Sequence, residues 1–299
     1  MTEEFKNNIH RTLAYYEIFD HPLTMKELFL FFPANSLAEK DFRSLVEKMV
    51  AEKIITGKDG YYFHNNLTSL PLIRIDREKR ARGRIRIARF MSHIIKRFPF
   101  VRGVFLSGDV SKGVATPPSD LDYVIITAPG RLWICRTLLI LFKKIFLLNR
   151  KKYFCLNYFI AQDNLNLENR NYYTATEVAH LKPVVNFPLF LNYMNANAWI
   201  REYFPNYSLF EIVQDSSGRP SSIQKLFELL FAARWADRLD NWLMNRMKVY
   251  WAKHYPQFTE QTRENIFRCS KGESRAYAGN FSERILNKYQ SKLSEYHLS

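Results

Sequence analysis

Apolar residues recur at helical spacing from the start of the chain: Phe5, Ile9, Leu13, Tyr16 and Ile18, with a stop near Asp20, His21 and Pro22. Thr24 and Glu27 have the spacing of a capping box and predict a second helix. Residues 36–53 predict a third, with Phe42, Leu45, Val46 and Met49 on its apolar face. Residues 54–63 then read as a strand, an Asp-Gly turn and a second strand. A polar link over 64–69 leads to a basic helix from about 75 to 98. Its expected buried stripe is Ile87, Met91, Ile94, Ile95 and Phe98, with Arg80, Arg84 and Lys96 outside.

The middle of the chain changes period. Val104 to Leu106 and Tyr123 to Ile126 are apolar runs of strand length, and 152–160 is a third. Residues 131–148 between them predict a helix packed on the sheet. Thr174 and Glu177 have capping-box spacing and open a further helix, which makes Glu177 a cap rather than a catalytic acid. Residues 184–299 read as mostly helical, broken near Phe204-Pro205 and over 215–220. Residues 221–253 carry a nearly continuous stripe of Ile223, Leu226, Leu230, Trp235, Leu239, Trp242, Met247 and Tyr250, expected to be core. Residues 271–279 are expected to be a loop. The pattern therefore divides into a helix-rich unit at 1–66, an α/β core at 70–183 and a helical accessory region at 184–299. The three helices and hairpin of the first unit resemble a winged helix.

Candidate chemistry lies at 105–126. An apolar strand runs into a small-residue loop holding Gly108, Asp109, Ser111, Lys112 and Gly113, and a Pro-containing turn follows. Asp120 and Asp122 then flank one Leu at the entrance of the next strand. Residues two apart on a strand face the same way. Two carboxylates held so close repel unless a cation lies between them, and oxygen-bound Mg²⁺ or Mn²⁺ suits such a pair. A glycine-bearing loop upstream offers N–H groups to a phosphate.

Gly108, Gly113, Asp120 and Asp122 at this spacing resemble the signature of the polymerase-beta-like nucleotidyltransferase superfamily, over roughly residues 85–165. The resemblance implies a short mixed sheet with helices, a nucleoside triphosphate and Mg²⁺ as substrate and cofactor, and transfer of a nucleoside monophosphate to a hydroxyl. Asp120 and Asp122 would be metal ligands, and Gly108, Ser111 and Gly113 the phosphate loop, with Lys112 adding charge. The chain departs from the pattern twice. Asp109 stands where the family has Gly or Ser, and there it opposes phosphate. Asn157 stands on the strand where a third carboxylate is expected; Asp163 is the nearest acid.

Charge and cysteine content narrow the picture further. The net charge is +15, yet residues 1–65 hold 8 Lys/Arg against 10 Asp/Glu. An acidic unit has no counterion-release term to drive it onto DNA, so nucleic acid is not the favoured partner. Basic residues concentrate at 74–97, with ten against two acids, and at 131–152, with seven against none. Such fields attract nucleotides, nucleic acid or acidic headgroups. Cys135, Cys155 and Cys269 form no disulfide framework, which fits a reducing cytoplasm. The N-terminus lacks signal-peptide character. Arg136, Lys143 and Lys144 interrupt the most lipid-like run, so no membrane span is expected. His21, His64, His93, His180 and His254 are isolated in sequence. The rival readings are a catalytically degenerate nucleotide-binding or scaffold protein of the same fold, and a nucleic-acid-binding protein. The acceptor is not legible.

Overall fold

The computed structural model describes residues 2–34, 37–64, 68–149, 152–208, 220–276 and 281–298. The first unit contains α1 (Glu3–Glu17), β1 (Leu23–Thr24), α2 (Met25–Leu30), α3 (Glu39–Ala51), β2 (Thr56–Lys58) and β3 (Tyr61–Phe63). Its strands form an antiparallel sheet in the order β1-β3-β2. The Thr24–Glu27 capping box is present in both directions. Asp59 and Gly60 both have positive φ, as a tight hairpin turn requires. Ser36, the predicted start of the third helix, lies outside the described residues, and α3 starts at Glu39.

Helix α4 (Leu70–Ile95) begins a turn before its predicted start, with Pro71 in its first turn. Then follow β4 (Val101–Ser107), the one-turn α5 (Gly108–Ser111), β5 (Asp122–Thr127), α6 (Leu132–Phe146) and β6 (Cys155–Ala161). The chain continues through α7 (Tyr172–Ala179), β7 (Lys182–Val185), α8 (Phe187–Ala196), a 3₁₀ turn at Ala198–Glu202, α9 (Ser222–Leu230), α10 (Arg234–His254), α11 (Glu260–Ile266), β8 (Glu273–Arg275) and α12 (Phe281–Glu295). The larger sheet has the order β7-β4-β5-β6-β8 and is mixed: β5 is antiparallel to β4 and parallel to β6. The architecture is α/β with two small sheets.

Strand β5 sits at the centre, so Tyr123 to Ile126 are all buried, which explains an apolar run without alternation. Its two faces serve two cores. Val124 and Ile126, with Phe105 and Tyr158, pack under α7, α8, α12 and the first unit. Tyr123 and Ile125, with Leu106 and Phe159, pack against α4, α6 and α10. The first unit is joined to the core by packing: Tyr15 meets Tyr172 and Tyr289 at ring distances of 4.8 and 5.4 Å. Arg74 of α4, 3% exposed, adds an ion pair to Glu27 at 2.7 Å and one to Glu78 at 2.8 Å.

Several sequence expectations are corrected here. Helix α7 is capped by Asn171, whose side chain accepts from Thr174 N, so Thr174 and Glu177 form no capping box. Asn wins because a short acceptor one turn earlier starts the helix sooner. Two short strands interrupt the helical region: β7 pairs with β4, and β8, within the expected loop, pairs with β6. Gly279 and the predicted break at 215–219 lie outside the described residues. The stripe over 221–253 is split at 231–233 into α9 and α10, and much of it is solvent-exposed rather than core. Ile87 of α4 is also exposed, with Ala81, Ala88, Met91 and Ile95 forming the buried face. His64 is not isolated: it lies 2.8 Å from His10 and 3.2 Å from Glu17. Among the described residues no helix is long and apolar enough to cross a membrane.

Candidate active site

The site is the edge of the sheet where β4 ends and β5 begins. Register pairs Ser107 with Asp122. The chain leaves β4 through Gly108, whose φ of +68° is the left-handed conformation that favours glycine. A Cβ on Gly108 would lie 2.6 Å from Asp122 Oδ2. The glycine is thus required twice, by its backbone and by the carboxylate packed against it. Gly113 also has positive φ, at +76°, but open space beside it.

Leu121 is fully buried, and Asp120 and Asp122 flank it. Asp122 is held above the ordinary carboxylate range, at about 6. Burial is the main cause; the negative charges of Asp120, Asp109 and Glu177 add to it, while a hydrogen bond from the Cys155 thiol opposes it. The three other acids act on Asp122 from α5, from the turn before β5 and from α7. Among the described residues no group of three His, Cys, Asp or Glu side chains is placed to hold a metal ion.

The remaining predicted residues have defined partners. Ser111 is buried, and its hydroxyl donates to Gly108 O at 2.8 Å inside α5. Lys112 pairs with Glu177 at 2.5 Å, so its charge is directed to α7. Asp109 accepts from Ser119 Oγ at 2.8 Å, and Ser119 Oγ accepts from Thr116 N at 2.9 Å. Arg84 of α4 fixes this turn from outside by donating to Pro117 O at 3.0 Å and to Ser119 O. Asp109 is therefore a tie between α5 and the turn that delivers Asp120. Asn157, on β6 beside β5, donates from Nδ2 to Cys155 Sγ at 2.9 Å. It reaches Asp122 through a relay, Asn157 to Cys155 to Asp122.

A cavity of about 80 Å³ is lined by Ser107, the register partner of Asp122, and by Glu177. Ser107, Val124 and Tyr158 form its floor, and Tyr173 and Glu177 of α7 one wall. Arg268 and Arg275 close it and also line a wider cleft of about 710 Å³ beside α12. Arg268 is paired with Glu168 at 2.8 Å. The sequence contained no signal for these two arginines or for the role of Glu177. They arrive by the pairing of β8 with β6 and the packing of α7, more than a hundred and about fifty residues from the motif respectively. The arrangement offers carboxylates at the entrance of a strand, a glycine against which one of them packs, and cations lining a nearby cavity. Compared with protein-family models, with curated proteins and with solved structures, the chain matches none.

Proposed function

We propose that the chain is a nucleotidyltransferase of the polymerase-beta-like superfamily, moving a nucleoside monophosphate from a triphosphate to a hydroxyl. The observation that carries this reading is Gly108 seated against Asp122, at the junction of an antiparallel strand pair whose second strand is parallel to the strand bearing Asn157. A glycine turn, an Asp-x-Asp pair with Asp122 opening β5 and Asp120 in the turn before it, and a neighbouring third strand are the parts the superfamily resemblance calls for. The three helices and three-stranded sheet of the first unit support the winged-helix reading of residues 1–66.

The donor set suits a hard divalent cation. Asp120 and Asp122 offer carboxylate oxygens, and burial together with the neighbouring carboxylates raises Asp122, a penalty that a bound cation would offset. When bound there, Mg²⁺ or Mn²⁺ supplies neutralisation of the phosphate chain and the departing pyrophosphate. Gly108 lets the Asp122 carboxylate sit against its Cα. The Cys155 hydrogen bond orients the Asp122 carboxylate. Arg268 and Arg275 suit the anionic tail of a triphosphate.

A second reading, a degenerate nucleotide-binding or scaffold protein, is favoured by Asn157, a neutral amide where the resemblance calls for a charged ligand, its N–H donated to Cys155. One experiment separates the two. The protein is incubated with each labelled nucleoside triphosphate and Mg²⁺ or Mn²⁺, scoring label transfer, pyrophosphate release and nucleotide-induced thermal stabilisation. Transfer that disappears in Asp122→Ala supports the enzyme. Stabilisation without pyrophosphate release supports the degenerate form. No nucleotide effect with either metal removes both.

A further inference from the structure

Helix α9 is amphipathic with its polar side turned inward. Gln224 is 2% exposed and donates to Phe98 O at 2.9 Å and Val101 O at 3.1 Å. Glu228, one turn later, accepts from Phe100 N at 2.7 Å and pairs with Arg102 at 2.8 Å. At about 100° per residue, Leu226, Phe227, Leu229 and Leu230 occupy the opposite arc. They face solvent, Leu229 at 69% and Leu230 at 60% exposed. Burying polar groups while exposing four large apolar ones is the reverse of a surface helix.

Further aromatic side chains lie on the neighbouring segments, Phe100 among them buried and others exposed. Phe231, between α9 and α10, meets Trp235 at 5.2 Å and Phe100 at 6.1 Å. Phe98 meets Phe142 of α6 at 5.2 Å, and Phe142 meets Phe146 at 5.0 Å. Phe146 protrudes at 69% and Trp242, two turns beyond Trp235, at 56%.

Among the described residues, the charges of α9 and α10 that form no ion pair are cationic. Each acid of the two helices has a partner: Glu228 has Arg102, Asp237, itself exposed, has Arg131, and Asp240, buried, has Ile134 N. The cations remain outward. Lys225, Arg238, Lys248 and Lys253 form no ion pair among the described residues, and Arg246 lies over the Trp242 ring at 5.7 Å. Lys96 and Arg97 immediately precede Phe98, whose carbonyl Gln224 holds, and add two more cations.

We propose that this face docks the protein on an anionic lipid surface. Charge complementarity selects a negatively charged occupant, and a second copy would set cation against cation. Protruding Leu, Phe and Trp side chains rimmed by Lys and Arg are the composition that partitions into the headgroup boundary. A bilayer accommodates such knobs without a matching groove. The inference is independent of the nucleotidyltransferase reading.

The test is flotation of the full chain with phosphatidylcholine vesicles, with and without phosphatidylserine. Co-flotation with the phosphatidylserine vesicles alone is expected, weakened by salt, together with a blue shift of tryptophan emission that Trp235→Phe/Trp242→Phe removes. Leu229→Glu/Leu230→Glu should lower vesicle affinity about tenfold or more. Lys225→Glu/Arg238→Glu/Lys248→Glu should do the same through charge; these exposed substitutions decide the matter if the leucine variant unfolds. Wild-type protein that stays in the aqueous fraction overturns the proposal, as does binding that survives both variants. A dimer that the leucine substitutions dissociate assigns the face to a second copy. Binding of poly-glutamate but not of vesicles assigns it to an acidic protein. Either result also overturns it.

Discussion

Gly108 and Asp122 are in contact: no atom larger than hydrogen fits on the Gly108 Cα without meeting the Asp122 carboxylate. Gly108→Ala therefore carries two costs, a positive φ and a clash with a buried carboxylate. Gly113→Ala carries only the first, because the space beside it is open. Urea unfolding should place Gly113→Ala about 1 kcal/mol below wild type and Gly108→Ala about 1–2 kcal/mol lower still. Equal losses would show that the carboxylate yields freely.

Asp122 predicts a pH dependence. Its folded pKa is raised to about 6 from 3.8, so between those values the folded state holds more proton than the unfolded state. Stability from this group is therefore greatest at low pH and declines as pH rises from about 4 to about 6. Asp122→Asn removes the penalty and should stabilise the protein at pH 7 by about 2–3 kcal/mol. Asp240 titrates in the same range, so the informative quantity is the difference between wild type and variant across pH. A variant less stable than wild type at pH 7 would contradict the assignment.

Lys112 and Glu177 test the wiring of the loop. Glu177→Gln leaves Lys112 without its partner and removes one charge that raises Asp122. Nucleotide affinity should rise, because Lys112 becomes free to meet phosphate, and the Asp122 pKa should fall. Isothermal titration with Mn²⁺ and a triphosphate reads the first effect; carboxyl chemical shifts read the second. Unchanged affinity would leave Lys112 a purely structural cation.

Asn157 and Asp109 separate catalysis from architecture. If the site transfers nucleotides, Asn157→Asp supplies a charged oxygen beside Asp122 and should raise turnover, more with Mn²⁺ than with Mg²⁺. Asp109→Ser removes a like charge but also the Ser119 contact, so its gain in nucleotide affinity should come with a stability loss of about 1 kcal/mol. Pyrophosphate release and thermal melts on both variants check the pair. Lower turnover in both would mean that these residues serve an unusual acceptor.

Arg74 should be the most sensitive surface-remote position. It is buried between Glu27 and Glu78, so Arg74→Ala leaves two carboxylates without their cation and should cost about 3 kcal/mol. Adding Glu27→Gln should recover part of that loss in the double variant. A full additive loss would show that the pair does not couple.

The chain alone determined the features that local physics controls. Gly108, Gly113, Asp120 and Asp122 were legible because a strand, a left-handed turn and a second strand are specified within about twenty residues. The Thr24 capping box, the Asp59-Gly60 hairpin and the central strand at 123–126 were legible for the same reason. Tertiary structure decided what those features touch. Helix α7 brings Glu177 to Lys112, a candidate phosphate contact, and Cys155 takes an amide N–H from Asn157, a candidate ligand. Arg268 and Arg275 reach the cleft only through β8, a three-residue strand too short to leave a period. The sharpest case is α9. Its periodicity identified an apolar face correctly, yet periodicity says which residues share a side and not which side meets the core. Gln224 and Glu228 found backbone and guanidinium partners across the chain, and their hydrogen bonds turned the apolar side outward.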